Sequence, residues 1–565
     1  PRSRRRRQPP ATAVPNCTMR SSVRGHVLAL ALLLPTALAL VPGRFWVRRG
    51  APARGNVGAL RSAVEEDAVV APSFDKYRSV TIKNFEEFLT RLIDDESSSD
   101  TQKKDLAARL DDIRLASMIF PFKSSSYSME ELVDWKAEDL DSDPIYRLLF
   151  PTLDMLEEDH RQQLVAARDT QDPFELEKAV HEIRTALNPH PAGQISLNKP
   201  DEDDLTGIQH KYAETCLLFP AAGQTCHAYC TYCFRWAQFI QDDDLKFAQK
   251  DAGSFHRYLE RHEEISDVLV TGGDPMIMRA NVLAVYLGAF KDPNFLPHIR
   301  NIRIGTRTLT FWPQRFTTDS DAAAVLQLLH DIIEKGGRSL DIMAHLGHDV
   351  ELSTSKFEAA VKALQGTGAV IRSQSPIMRG INADPDVWAR KWRREVQLGI
   401  VPYYMFIARD TGAQKYFGVT LAEAHSIYSN AIRQVSGLAR TARGPSMSCT
   451  PGKVEVTGIE VVQGQKVFVL RFLQCRDAAW IGRVFFAKFD AKAIWFDELE
   501  PMDGGSLLPW DEEGMIRAGT PEEVLSTLAP PKITPIIQIP SPDALPVAGG
   551  LPSEKYTYNN KTDIP

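Results

Sequence analysis

An α/β protein built on a partial, TIM-like barrel of six strand–helix units is the fold this sequence predicts, with a helical region before the barrel and a small β-rich extension after it. Three observations lead there. Six short apolar runs (TCLLFP, SDVLVTGG, IRNIRIGT, LDIMAHLG, AVIRSQS and IVPYYMFI) succeed one another between about residues 212 and 440. Each is trailed by a helical stretch, for instance NVLAVYLGAF, SDAAAVLQLLHDIIEKG, SKFEAAVKALQGTG and PDVWARKWRREVQLG. Short apolar strands alternating with helices imply a parallel sheet, whose post-strand loops form the functional mouth. Upstream, apolar residues recur only at three- and four-residue steps. Downstream of Lys453 the pattern turns alternating and β-branched.

Taken in order, the chain opens with a stretch (residues 1–75) that reads as a targeting presequence. No acidic residue precedes Glu65, whereas Arg2, Arg4 to Arg7, Arg20, Arg24, Arg44, Arg48, Arg49, Arg54 and Arg61 are basic. The apolar run Val27 to Val41 is interrupted by Pro35 and short for a bilayer span, and Ala37-x-Ala39 offers a cleavage site. Met19 fits a translation start. The Arg-rich, acid-poor segment after the apolar run resembles an organelle transit peptide, and the two in series resemble presequences of complex plastids, with Phe45 shortly after the cleavage site. A plastid is therefore the expected location, another organelle or a membrane tether the alternative, and the mature protein is expected outside the membrane. Residues 76–205 form the helical region, carried by FEEFLTRLIDD, KKDLAARLDDIRLASMIF and PIYRLLFPTLDMLEEDHRQQLVAAR, and LNPHPAGQISLNKPDEDDLTG leads on as a linker or wrap-around loop. The barrel occupies 206–445, the β-rich extension 446–525, and a proline-punctuated tail 526–565 reads as disordered. A formal charge of −7 argues against a general nucleic-acid binder.

Chemistry concentrates at TCHAYCTYCFRW. Cys226, Cys230 and Cys233 stand in Cys-x3-Cys-x2-Cys spacing, while Cys17, Cys216, Cys449 and Cys475 are scattered. Three thiolates suit a [4Fe-4S] cluster whose fourth iron stays open to a small molecule. Structural zinc needs a fourth ligand, for which His227 or His210 would have to serve. The third alternative is three inert buried thiols. Seven cysteines without paired spacing fit a reducing compartment. Gly272-Gly273-Asp274 follows the second strand, where two glycines let a backbone approach a ligand and an acid can hold an amine. The cysteine loop follows the first, so both meet at one mouth.

The cysteine spacing, with Tyr232 before the last thiol, resembles the radical S-adenosylmethionine (SAM) signature. With GIQHKYAETCLLFP before it, and VLVTGGDP, IRIGTRTLTFWPQR, IMAHLGHDVELS, SQSPIMRGIN, VPYYMF and PGK after it, the chain from about 105 to 455 resembles the lysine 2,3-aminomutase family. The resemblance implies a barrel of radical SAM type and an isomerase that moves an amino group from C2 to C3 of an amino acid. It implies three cofactors: a [4Fe-4S] cluster, SAM and pyridoxal 5′-phosphate (PLP). It assigns Cys226, Cys230 and Cys233 to the cluster and Gly272, Gly273, Asp274, His345 and Gln374 to SAM. Lys453 becomes the PLP lysine, Lys211 and Tyr212 the phosphate side, and Arg235 the holder of the substrate carboxylate. Thr215 stands where a third basic residue is expected, and the glycine run before Lys453 shrinks to one.

Departures from that pattern bear on substrate. The two aspartates by which lysine-specific members grip a distal ammonium align with Cys449 and with Arg409, or with Asp410 if the loop shifts by one; an arginine there prefers an acidic side chain. Asp384 replaces an interface zinc cysteine, so no zinc is expected. An electron donor such as ferredoxin or flavodoxin is implied, a homo-oligomer is compatible, and the rivals are a radical SAM enzyme modifying a protein lysine without PLP and a non-catalytic Fe–S or zinc scaffold.

Overall fold

The computed structural model describes residues 77–93, 109–191, 198–200, 205–240 and 247–502. The expected presequence and proline-rich tail lie outside them, as does the end of the extension. The chain divides at Val70/Ala71, and every described residue belongs to the second unit. None of the described helices is long and apolar enough to cross a membrane.

A single eleven-stranded sheet organises the molecule. Its strands are β3 (Ile208–Tyr212), β4 (Thr215–Leu218), β5 (Asp267–Val270), β6 (Asn301–Thr306), β7 (Ser339–His345), β8 (Val370–Ile377), β9 (Val401–Ile407), β10 (Arg443–Ser448), β11 (Gly452–Val462), β12 (Gln465–Cys475) and β13 (Val484–Lys488), in unbroken sequential order. From β4 to β10 all neighbours are parallel; β3 and β11 to β13 pair antiparallel at the two edges. The parallel run thus has seven strands, one more than the sequence predicts. β10 escaped notice because Gly444 and Pro445 break its apolar pattern. Gly444 is needed there: its φ is +143° and a Cβ would meet the Met405 carbonyl oxygen at 2.4 Å. The β-rich extension continues the same sheet instead of standing apart.

Alternation along the parallel strands sorts two environments. Val268, Val270, Ile302, Ile304, Leu340, Ile342 and Ala344 point outward into a core shared with the covering helices. Their neighbours Leu269, Arg303, Gly305, Met343 and His345 point into the lumen. The helix Ser355–Gln365 shows how local rules place such a cover: the Thr354 hydroxyl accepts from Phe357 N at 3.1 Å, and Phe357, Ala360, Val361 and Leu364 bury one stripe. The β3 side of the sheet closes onto the β10–β11 connection and the end of β12 without strand pairing. Lys211 Nζ on β3 donates to the Cys449 carbonyl at 2.5 Å, and Arg476 reaches Asn198. At the lumen's lower end, Asp267 pairs with Arg303 and Asp341 with Arg372.

The amino-terminal region is helical as expected (Ile82–Ile93, Pro144–Leu149, Glu158–Asp169, Pro173–Ala186), with one addition. A two-stranded antiparallel ribbon, β1 (Ser79–Thr81) against β2 (Lys123–Ser125), pairs segments too short to show alternation.

Candidate active site

The lumen holds a cavity of about 360 Å³. Cys226, Cys230, Cys233, Arg235, Gly272, Gly273, His345, Gln374, Lys211, Tyr212 and Lys453 all line it. Residues spread over more than two hundred positions therefore converge, most from the later half of a strand or the loop after it and Lys453 from the start of β11.

The cysteine loop is fastened from behind by the amino-terminal region. Tyr77 Oη donates to the His227 carbonyl at 2.9 Å, Tyr229 N to Lys123 O at 2.7 Å, Thr231 N to Leu148 O at 3.0 Å and Thr231 Oγ1 to Arg147 O at 2.7 Å. With the backbone held on that side, the three sulfurs face the cavity. Burial pushes all three thiols up, Cys233 to about 12, and Cys226 further through Asp274 and the neighbouring thiols. Such thiols ionise only with a strong cation beside them, which iron supplies. The donor set fits a cluster; among the described residues no further cysteine, and no histidine other than His345, lines the cavity. His227 Nδ1 lies 3.0 Å from Thr308 Oγ1 and His210 contacts Tyr258 and Ala213, so neither lines the cavity.

The Gly272–Gly273 loop packs directly on this segment. A Cβ on Gly273 would meet Thr225 N and O at 2.5 Å, and one on Gly272 (φ +142°) the Gln224 amide at 2.3 Å. Asp274, by contrast, departs from its expected role. It does not line the cavity. Its buried carboxyl accepts from Thr306 Oγ1 (2.7 Å), Thr308 Oγ1 (3.0 Å), Arg307 N (2.8 Å) and Met276 N (2.9 Å), and burial raises its pKa. An acid so fully engaged ties two post-strand loops together instead of greeting an amine.

His345 is locked by a buried chain. Tyr232 Oη lies 3.1 Å from His345 Nε2 and receives Arg307 Nη1; Arg307 Nη2 donates to Glu351 at 2.9 Å. Burial, then the charges of Arg307 and Lys391, holds the imidazole well below its ordinary value, so it stays neutral. Glu351 also accepts from Gly347 N and His348 N, at 2.8 and 2.9 Å. Removing its charge by Glu351→Gln strands Arg307 in the interior, and an expected loss of about 3–5 kcal/mol would show in denaturant unfolding of the whole chain.

Lys453 enters from β11, opposite Ser448 on β10 and Gln474 on β12. Its Nζ sits 4.1 Å from the Tyr404 ring centre and 5.4 Å from Phe406, two stacked rings 5.0 Å apart. Burial, then Arg303, Lys211 and Arg443, lowers its pKa to about 7. Lys211 also falls to about 7, by burial first, and burial raises the Tyr212 phenol. The lysine is therefore a buried amine with a substantial neutral fraction, beside aromatic faces and a second cation, and these residues fit an aldehyde cofactor carrying a phosphate. Arg235 stacks 4.0 Å over Phe219 and has no carboxylate partner among the described residues. Of the two residues the loop after β9 could present, Arg409 lines the cavity and Asp410 does not.

Arg303, Tyr404, Phe406 and the amino-terminal fastening were not anticipated. For the first three a signal existed: cationic or aromatic residues at alternate places of strands covered on both faces must look into a lumen.

No protein-family model matches the chain. It is similar to the "Putative L-lysine 2,3-aminomutase" of Aquifex aeolicus (29% identical, covering 67% of this chain and 87% of that one). It is also similar to the L-lysine 2,3-aminomutase of Haemophilus influenzae (25%; 52% and 87%) and to the glutamate 2,3-aminomutase of Clostridioides difficile (28%; 44% and 52%). Among solved structures, Streptococcus suis SuiB overlaps with a TM-score of 0.29 at 12% identity (46% of this chain, 52% of that one), too slight to bear on the fold.

Proposed function

The chain belongs to the lysine 2,3-aminomutase family of radical SAM enzymes, whose aminomutases are isomerases, and from that premise we propose that it catalyses a PLP-dependent 2,3-amino migration converting an L-α-amino acid to its β-isomer. One observation carries the reading: Lys453, a buried amine with its pKa near 7, opens into the same cavity as the three cysteines.

In this reading Cys226, Cys230 and Cys233 hold a [4Fe-4S] cluster, and the Gly272–Gly273 backbone, His345 and Gln374 receive SAM. Lys453, Lys211 and Tyr212 hold PLP. When bound, the cluster with SAM supplies one-electron chemistry, and PLP supplies an aldehyde and a conjugated ring. The chain's own contribution is placement and exclusion of water. Lys453 offers an unprotonated Nζ near neutral pH, and Tyr404 and Phe406 wall it from solvent. Lys211 presents its cation to the phosphate end, where an anion would restore its proton. Arg235 offers a planar pair of donors to the substrate α-carboxylate. Neutral His345 can accept a hydrogen bond without repelling a cationic sulfonium.

The test is anaerobic reconstitution of the full chain with iron, sulfide and PLP, reduction with SAM present, and product analysis across the amino acids. Methionine and 5′-deoxyadenosine together with a β-amino acid are expected. SAM cleavage without PLP uptake would replace this reading by modification of a protein lysine. Absence of SAM cleavage would leave a scaffold.

A further inference from the structure

Resting on the reading above, we propose that the substrate is an α-amino acid bearing a side-chain carboxylate, whose distal end is held by Arg409. The lining of the cavity carries six basic side chains, Lys211, Arg235, Arg303, Arg307, Arg409 and Lys453, and, among the described residues, no aspartate or glutamate. Arg303 is neutralised by Asp267 and Arg307 by Glu351. Lys211 and Lys453 serve the cofactor and Arg235 the α-carboxylate. Arg409 is left with only its chain neighbour Asp410, which does not line the cavity and stands 4.0 Å from Nε without a hydrogen bond.

Its surroundings leave its donors free for an acidic ligand. Nη2 donates weakly to the Pro191 carbonyl at 3.3 Å, and Nε is buried with no hydrogen-bond partner. Asp410, its chain neighbour, comes within 4.0 Å of Nε, too far for a hydrogen bond. Asp410 is turned instead toward Asn188, whose amide donates to its backbone oxygen at 2.6 Å and to Oδ2 at 3.3 Å. A buried guanidinium nitrogen without a partner is costly, and a carboxylate ligand would relieve it.

Both guanidinium groups border one ring, which leaves room for a dicarboxylic amino acid. The Arg235 and Arg409 guanidinium carbons lie 5.2 and 5.3 Å from the centre of one ring, Phe234, so their separation cannot exceed the sum of those lengths. The two carboxylate carbons of an extended glutamate are about 5 Å apart from standard bond lengths, which lets each face its own guanidinium. A lysine side chain would instead carry its ammonium toward Arg409 with no acid to receive it, the arrangement by which a site rejects a competitor.

The experiment titrates the PLP-loaded full chain, without SAM or reductant, with L-glutamate, L-aspartate, L-lysine and L-alanine, reading the visible absorbance of the bound cofactor. Glutamate or aspartate is expected to perturb it at a concentration at least about tenfold below that of lysine, as a charge-assisted pair would give. Arg409→Gln should remove that margin and Arg409→Asp reverse it, while Arg409→Lys keeps part of it and shows that the loop still folds. A tighter response to lysine, or a margin untouched by Arg409→Gln, overturns the inference and leaves the aminomutase reading standing. Failure to take up PLP at all overturns both.

Discussion

Cys230→Ser is expected to abolish SAM cleavage, with a loss of at least about a thousandfold, because an alkoxide is a far poorer ligand for iron than a thiolate. The protein should nonetheless stay folded. Cys230 is partly exposed to the cavity, and its loop is held through backbone atoms by Tyr77, Lys123, Arg147 and Leu148 rather than through the thiol. Iron and sulfide analysis after anaerobic loading, set beside the unfolding midpoint, separates the two effects. Cluster content should fall to background while the midpoint moves little. A variant that keeps full iron and cleaves SAM would remove Cys230 from the ligand set and, with it, the case for a site-differentiated cube.

Lys453→Ala is expected to divide the chemistry differently. SAM cleavage should survive within a few-fold, since the cysteine loop and the Gly272–Gly273 loop are untouched. PLP retention and β-amino acid formation should fall below detection, because the cavity's other lysine, Lys211, lies over Tyr212 and donates to the Cys449 carbonyl, not beside the Tyr404 and Phe406 rings. The pH dependence of loading supplies a second reading of the same residue. The lysine's folded-state pKa is lowered, so its reactive free base accumulates as pH rises and is lost as pH falls through about 7. Loading rate should therefore climb up to about pH 7 and level off above it, where an ordinary lysine near 10.5 would still be climbing. Stopped-flow absorbance across pH 5.5 to 9.5 checks this. A rate rising tenfold per unit through pH 9, or PLP retained by Lys453→Ala, would assign the aldehyde to another group.

Much of the fold was legible because it rests on period. The six apolar runs became β4 to β9, and the four quoted helical stretches became covering helices. Where the sequence signal is local, in the cysteine triplet and the paired glycines, the residues do meet at one cavity as their places after successive strands predict. The site was misread where chemistry depends on the direction of one side chain. Asp274 has the right type and place, yet two threonine hydroxyls and two backbone amides claim it, and nothing in GGDP announces Thr306 or Thr308 thirty residues on. Loops have no period, so the choice between Arg409 and Asp410 required coordinates. The fastening of the cysteine loop is made mainly to backbone carbonyls, which every residue owns, so no pattern of side chains can reveal it.

That fastening changes the thermodynamics of acquiring metal. In a zinc finger the ligands are ordered by the ion, and the binding energy is spent on folding. Here the loop is already hydrogen-bonded at His227, Tyr229 and Thr231 to a part of the chain that contributes none of the three cysteines, so an ordering cost of about 1–2 kcal/mol per residue is met when the domain folds. Uptake then becomes a question of thiol deprotonation and sulfide supply, and the far-ultraviolet dichroism of the apoprotein should scarcely alter as the cube is built.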